Sequence, residues 1–167
     1  HVVVDDGSTD DSAAEAAATG AVVVRHPINL GQGAALQTGI TYVLEHTDAR
    51  YLVTFDADGQ HSPADAAAMV ARAETEGLAI VLGSRFLEGT ADVGWLKRLV
   101  LRTAAAVSSR TSGMHLTDAH NGLRLIRRDA AQQLDLTQNR MAHASQIIRQ
   151  LGATGLPWRE QGVHIVY

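Results

Sequence analysis

The sequence predicts an α/β fold with a mostly parallel central sheet flanked by helices. Three observations carry that expectation. Short apolar runs alternate with longer helical stretches, the first, third and fourth runs close on acidic residues or glycine, and several helical stretches carry clear start or stop signals. Val2–Val4 is a β-branched run that stops at Asp5-Asp6-Gly7 and reads as a buried strand. Ser8 and Thr9 are N-cap types, Asp10 and Asp11 suit a first helical turn, and the alanine-rich stretch to Thr19 stops at Gly20. Ala21–Arg25 is a second strand, broken by Pro27 and Asn29. Gly31-Gln32-Gly33 opens a helix that runs to about His46, and Tyr51–Phe55 is a third strand ending at Asp56. Ser62-Pro63-Ala64-Asp65 combines an N-cap, a proline at the first position and an acid in the first turn, so a helix is expected from there to about Gly77. Leu78–Leu82, closed by Gly83, is a fourth strand, Leu123–Ile126 a fifth, and Met141–Leu151 a helix.

Bulk composition narrows the function classes. At 167 residues the chain is expected to form one domain, residues 1–167, large enough to bury a core. Its 46% hydrophobic content is ordinary for a soluble α/β protein, and only 4% is aromatic, so the core should be Val, Leu, Ile and Ala. The formal net charge is −4 and no basic run interleaves with aromatics, which argues against a nucleic-acid partner. There is no cysteine, hence no disulfide and no thiolate metal site. No apolar run approaches 18 residues. The chain begins inside a strand, at His1, and ends inside another, Val163–Tyr167, so it is expected to be a piece of a longer protein.

In a parallel α/β sheet, ligands bind at the carboxyl ends of the strands. The acids gather there. Asp56-Ala57-Asp58-Gly59-Gln60-His61 follows the third strand: two carboxylates one residue apart can converge on a hard cation, Gln60 can add a carbonyl oxygen, and Gly59 permits a tight loop. A solvated turn is the alternative, made less attractive by Asp5-Asp6 at another strand end. Asp5-Asp6-Gly7-Ser8 can accept hydrogen bonds from a nucleotide or cap the next helix. Asn29-Leu30-Gly31-Gln32-Gly33 is either a phosphate-contacting helix start or a plain tight turn. Arg85 in Gly83-Ser84-Arg85 can bind phosphate with its planar fork or sit in a surface ion pair. The polar stretch Thr117–Arg124 offers Asp118 as a candidate general base, His120 as a metal or phosphate contact and Arg124 as a phosphate partner, with a polar turn as the alternative. His143 and Gln146 share a helix face and read as structural. His26, His46, His115 and His164 show no metal-ligand spacing. Trp95–Ser109 carries an apolar stripe between basic residues, which suits either a helix at a membrane surface beside the acceptor or an ordinary helix packed on the sheet.

In order and spacing these segments resemble family 2 glycosyltransferases of the GT-A fold, the group that contains dolichyl-phosphate mannose synthase. The resemblance rests on Val2–Asp10, Asn29–Ala35, Phe55–His61, Gly83–Arg85 and Asp118–Arg124. His120-Asn121-Gly122 and Met141–Ser145 resemble bacterial members associated with cell-envelope polysaccharides. The resemblance implies inverting transfer of a sugar from a nucleotide-sugar donor, with Asp56, Asp58 and Gln60 holding Mg²⁺ or Mn²⁺ against the diphosphate. It implies a donor-binding set of Asp5, Asp6, Gly31, Gly33, Asp56 and Ala57, a catalytic set of Asp58, Asp118 and Arg85, and an acceptor set of Arg85, His120 and Arg124. The acceptor expected is a polyprenyl phosphate or a cell-envelope glycan, and the location the cytoplasm, with peripheral contact on the inner face of the cell membrane. The family's first strand would precede His1, and an arginine- and lysine-bearing segment would follow Tyr167. Gln146 stands where related bacterial sequences usually carry glutamate. An inactive nucleotide-binding remnant of the same fold is the competing reading. A receiver-type phosphoacceptor domain would need a lysine at a later strand end, and Lys97, the only lysine, lies in a helical pattern. A nucleotidylyltransferase should open on a glycine-rich loop and a basic signature, neither of which is seen.

Overall fold

A computed structural model describes residues 1–87, 113–118, 121–138 and 141–164. The helical stretch expected at Trp95–Ser109 and the contact expected from His120 lie outside the described residues. In chain order the elements are β1 (Val2–Asp5), α1 (Ser12–Ala18), β2 (Val22–Arg25), α2 (Gln32–His46), β3 (Tyr51–Thr54), α3 (Pro63–Glu76), β4 (Ile80–Ser84), β5 (Arg124–Arg127), α4 (Arg128–Ala131), α5 (Met141–Ala153) and β6 (Trp158–Gly162).

The strands form two ladders. β1 and β2 pair in parallel, with Val3 opposite Val23. The other sheet has the order β3-β5-β4-β6. In it β4 and β6 are parallel, and β5 runs antiparallel to both β3 and β4. β5 is thus the reversed strand of an otherwise parallel four, and this reversal has a consequence for function. The residues before β5 emerge at the same edge as the residues after β3 and β4: Arg124 stands opposite Thr54 on one side and Leu82 on the other. Helix α2 packs against both β1 and β3 and so links the two ladders.

Alternation along the strands fills both faces of the larger sheet. Ile80, Leu82 and Ile126 point to one side, into a cluster with Ile40, Ala130, Ile147, Ile148 and Leu151. Val81 and Leu125 point to the other, against Met69 and Ala73 of α3. As composition foretold, this core is aliphatic.

Helix α3 follows its sequence signals. Ser62 Oγ accepts from Ala64 N at 3.2 Å, Pro63 occupies the first turn, and Gly77 ends the helix at φ 67°. Among the described residues the last strand, expected at Val163–Tyr167, is Trp158–Gly162, and Val163 and His164 follow it outside any strand. Two other boundaries differ for local reasons. Helix α1 begins at Ser12 rather than near Ser8 and Thr9, because local side chains take the backbone first. Asp5 Oδ1 accepts Ser8 N at 3.0 Å, and Asp10 Oδ1 accepts Ser12 N at 3.1 Å, which leaves residues 8–11 in a turn. Strand β4 begins two residues later than expected, at Ile80, because Leu78 N still bonds back to Ala73 O at 2.9 Å behind the left-handed Gly77. Arg128 adds a tie that the sequence did not announce: its guanidinium donates to Leu44 O at 2.5 Å and Thr47 O at 2.9 Å, placing a cation at the carboxyl end of α2.

Candidate functional site

The loop after β3 carries the first half of the site. Thr54 Oγ1 donates to Gly122 O at 2.6 Å, pinning the end of β3 to the residues before β5. Asp56, next to this pin, is held on both oxygens. Gln32 Nε2 donates to Oδ1 at 3.3 Å, and His61 Nε2 faces Oδ2 at 3.3 Å. The His61 ring is buried and packs edge-on against Phe55, centroids 5.5 Å apart. Gly122 makes room for this carboxylate, since a Cβ there would run into the Asp56 carboxylate. An alanine at 122 would therefore force the Asp56 carboxylate to move.

Asp58 is arranged differently. It is exposed, and its Oδ1 closes an Asx turn on Gln60 N at 3.0 Å across Gly59, whose φ is 78°. Two carboxylates and the nearby amide oxygen of Gln60 make a hard-oxygen set suited to Mg²⁺ or Mn²⁺, which commonly complete their shells with water and phosphate oxygens. Among the described residues no group of three or more His, Cys, Asp or Glu could hold a metal. A cation held there would need water and ligand oxygens to complete its shell.

Arg124 stands behind Asp56 rather than beside an acceptor. It is 3% exposed, and burial lowers its pKa to about 10 against the opposing pull of the Asp56 and Asp118 carboxylates. A guanidinium so enclosed cannot meet an acceptor, so the expectation of direct contact is corrected: Arg124 is a buried counter-charge between two site carboxylates.

The end of β4 supplies the second half. Arg85 Nε donates to Asp118 Oδ2 at 2.7 Å and Nη2 to Oδ1 at 2.9 Å, a two-pronged fork, and Arg85 N adds a bond to Oδ2 at 3.2 Å. The Asp118 side chain is 1% exposed and that of Arg85 23%. Asp118 thus anchors Arg85 through both of its oxygens, rather than standing open as the general base expected from sequence. Glu160 in β6 receives Thr117 N at 2.9 Å and Asp118 N at 3.1 Å. Burial raises the Glu160 carboxyl above its ordinary range, and the Thr117 and Asp118 bonds pull it partly back.

The corner after β1 is occupied by its own protein. Asp5 is buried, bonded to Ser8 and placed 3.0 Å from Arg25 Nε, and the Ser8 side-chain and backbone bonds lower its pKa. Asp6 accepts Leu30 N at 2.9 Å, Gly31 N at 2.7 Å and His26 Nδ1 at 2.7 Å. Burial alone would raise the Asp6 pKa, but these three bonds outweigh it and hold the pKa below its usual value. His26 Nε2 continues the chain to Thr38 Oγ1 at 2.9 Å. The phosphate-binding helix start expected at Gly31 and Gly33 is corrected accordingly. The carboxylate of Asp6 already fills the amide cradle at Leu30 and Gly31, and Gly33 is buried inside α2. Gly7 lets this corner close, because its φ is 77° and a Cβ would lie 2.7 Å from Asn29 N.

Gln146 has a structural task. Its Oε1 accepts Thr137 N at 3.1 Å and Gln138 N at 2.9 Å, while Nε2 donates to Asp135 O and Thr137 Oγ1, each at 3.1 Å. Gln32, His61 and Glu160 were not singled out from sequence. Glu160 gave no signal, because the last strand was expected at Val163–Tyr167 and the polar Trp158–Gly162 run does not read as one.

The chain resembles known glycosyltransferases in sequence and fold. A sequence model described as Glycosyl transferase family 2 matches residues 1–135. An uncharacterised protein of Methanocaldococcus jannaschii is 34% identical over 170 residues, covering 99% of this chain and 70% of its own. The undecaprenyl-phosphate mannosyltransferase of Micrococcus luteus is 33% identical over 142 residues, covering 81% of this chain and 57% of its own. The chain spans 39% of the low-salt glycan biosynthesis hexosyltransferase Agl6 of Haloferax volcanii, at 29% identity. Among solved structures, glucosyl-3-phosphoglycerate synthase from Mycobacterium tuberculosis in complex with uridine diphosphate superposes with a TM-score of 0.67 at 24% identity, over 99% of this chain and 60% of that one. The expected GT-A architecture is therefore present, and this chain belongs to glycosyl transferase family 2.

Proposed function

We propose that the protein transfers a sugar, with inversion, from a nucleotide-sugar donor to a polyprenyl phosphate, using a divalent cation held by Asp56, Asp58 and Gln60. The single observation that carries this reading is the half-buried Asp56, braced by Gln32 and His61, beside an exposed Asp58 at the end of β3. When bound, Mg²⁺ or Mn²⁺ supplies Lewis-acid neutralisation of charge on the departing diphosphate. Solved relatives of this fold include a complex with Mn²⁺ and UDP-glucose.

The chain's own residues divide the remaining work. Asp56 and Asp58 orient the diphosphate end of the donor. The corner built by Asp5, Asp6 and Gly7, together with the start of α2, walls the nucleoside side, and Ala57 lines it from the β3 loop. Arg85, locked by Asp118 yet partly exposed, offers its guanidinium to an anionic acceptor. A phosphate oxygen of the acceptor forms a bond to the anomeric carbon as the bond to the diphosphate oxygen breaks, and the nucleoside diphosphate leaves with the electron pair. A phosphate monoester is already anionic near neutral pH and needs no positioned base. That suits a site in which Asp118 is consumed by Arg85. The names of two relatives favour the same acceptor class: the undecaprenyl-phosphate mannosyltransferase, and a UDP-N-acetylglucosamine–dolichyl-phosphate N-acetylglucosaminyltransferase of Methanococcus voltae, 30% identical over 115 residues. Among the described residues no helix is long and apolar enough to cross a membrane. For work on a lipid phosphate we assign contact with the cytoplasmic face of the membrane.

A transfer assay tests the reading directly. UDP- and GDP-sugars are incubated with the intact protein, Mn²⁺ and either farnesyl phosphate or farnesol. A glycosyl phosphate of inverted anomeric configuration should form only with the phosphate. Transfer to the alcohol at an equal rate, or retained configuration, would overturn it.

A further inference from the structure

We propose that Glu160 is a positioning residue for Arg85, fixing from β6 the segment that carries the carboxylate on which the guanidinium rests. The inference rests on the reading that Arg85 meets an acceptor phosphate.

The chain of contacts runs through three separate parts of the fold. Glu160 stands in β6 opposite Leu82 of β4, two residues short of Ser84. Its Oε1 accepts Thr117 N at 2.9 Å and Asp118 N at 3.1 Å, and its Oε2 accepts Thr117 Oγ1 at 3.0 Å. Thr117 Oγ1 is also 2.6 Å from Ser84 Oγ, so the hydroxyls knit the end of β4 to the same point. From Asp118 the fork to Arg85 follows directly. Residues 113–118 belong to no helix or strand. No ladder fixes the height of Asp118 above the sheet, and the two backbone N–H groups gripped by one carboxylate do so instead. Remove that grip, and Asp118 keeps its charge but loses its address.

The chemistry of the grip matters as much as its geometry. Two adjacent backbone donors and a hydroxyl converge on one anion, an arrangement in which an ionised acceptor is worth about twice a neutral one. A neutral glutamine would present one oxygen to the donors and turn an NH₂ against the others. The charged groups around Glu160 are Asp118 on the 113–118 segment, Arg72 of α3, whose Nη1 donates to Glu160 O at 2.9 Å and which pairs with Glu76, and Arg159 on its own strand. Because burial raises the Glu160 carboxyl, it takes up its proton at a higher pH than an ordinary glutamate. As the solution is acidified, the grip is therefore lost at a higher pH than an ordinary glutamate would lose it.

Kinetics of the intact protein with Mn²⁺, a nucleotide sugar and farnesyl phosphate decide the matter. Glu160→Gln should raise the KM for farnesyl phosphate by about 10-fold, a loss of about 1.4 kcal/mol, while donor KM stays within about 2-fold. The wild type should lose acceptor affinity as pH falls, and Glu160→Gln should show that loss already at neutral pH with its acid dependence flattened. Thr117→Ala, which keeps the backbone donors but removes one bond to Glu160, should raise acceptor KM by about 2–3-fold, and it decides the question if Glu160→Gln fails to fold. Unchanged acceptor KM and an unaltered pH profile in folded Glu160→Gln, with Arg85→Ala raising acceptor KM, would overturn the positioning role alone. Should Arg85→Ala also leave that KM unchanged, the acceptor reading falls and the inference with it.

Discussion

Asp5-Asp6 and Asp56–Asp58 stand on either side of the start of α2, each pair just past or at the end of a strand. Asp6 accepts three hydrogen bonds from its own chain, two of them from Leu30 and Gly31 N–H. Asp58 accepts one local turn bond and faces solvent. The same residue type at similar positions thus serves two purposes. Where loop amides and a histidine close around the carboxylate, it shapes the corner. Where a glycine turn leaves it outside, it remains available to a cation. Asp56 lies between the extremes, braced by Gln32 and His61 with Arg124 buried behind it, yet still half-exposed. The difference teaches that an acid at a strand end is assigned by what its neighbours already take from it.

Substitution can break or sharpen this contrast. The largest effect is expected at the exposed acid. Asp58→Ala should slow transfer by on the order of 100-fold or more, because a Lewis-acid cation supplies several kcal/mol of transition-state stabilisation, and it should leave thermal stability nearly unchanged. A matched loss of stability would show that Asp58 is structural after all. At the enclosed acid the pattern should invert. Asp6→Asn should cost about 1.5–3 kcal/mol of folding stability, the range for hydrogen bonds to a charged group, as read from urea unfolding. The pKa of Asp6 is lowered below 3.8. Its stabilising contribution is therefore complete above that value and lost as pH falls through the folded pKa, and the variant should show a flatter acid limb.

Gly122→Ala probes the space behind Asp56. It should weaken Mn²⁺-dependent diphosphate binding by about 10-fold, equal to about 1.4 kcal/mol, as calorimetry would report, while Mn²⁺-independent binding changes little. The smallest effect is expected furthest from the chemistry. Gln146→Glu puts a carboxylate where two donations are needed, to Asp135 O and Thr137 Oγ1. It should cost about 1–2 kcal/mol of stability from unmade bonds and leave the KM values unchanged. Equal or greater stability in Gln146→Glu would show that the amide is not the latch.

Much of this was legible in the residues. Helix α3 came with its cap, proline and terminal glycine, and the Phe55–His61 stretch marked the loop after β3 as a place where acids gather. What could not be read was direction and pairing. Nothing in Leu123–Ile126 says that the strand runs backwards, yet that reversal carries Asp118 and Gly122 to the edge where Asp56 lies. The enclosure of Asp5 and Asp6 could not be read, because their partners, Arg25, His26 and Leu30, lie many residues downstream. Arg124 resembled a phosphate ligand in sequence and proved to be an enclosed counter-charge, since burial is decided by the strands on either side of it. Helix α1 started late because Asp5 and Asp10 diverted backbone donors that an isolated sequence would give to a helix.

The central claim is that the exposed acid pair, and not the enclosed one, couples a divalent cation to a diphosphate. Calorimetric titration of UDP and GDP into the intact protein, with Mn²⁺ and in chelator, measures that coupling directly. The cation should tighten one of the two diphosphates, and that diphosphate should tighten the cation by the same factor. The coupling should vanish in Asp58→Asn and survive in Asp6→Asn. Diphosphate affinity that is the same in chelator as in Mn²⁺, or coupling that persists in Asp58→Asn, would contradict the account.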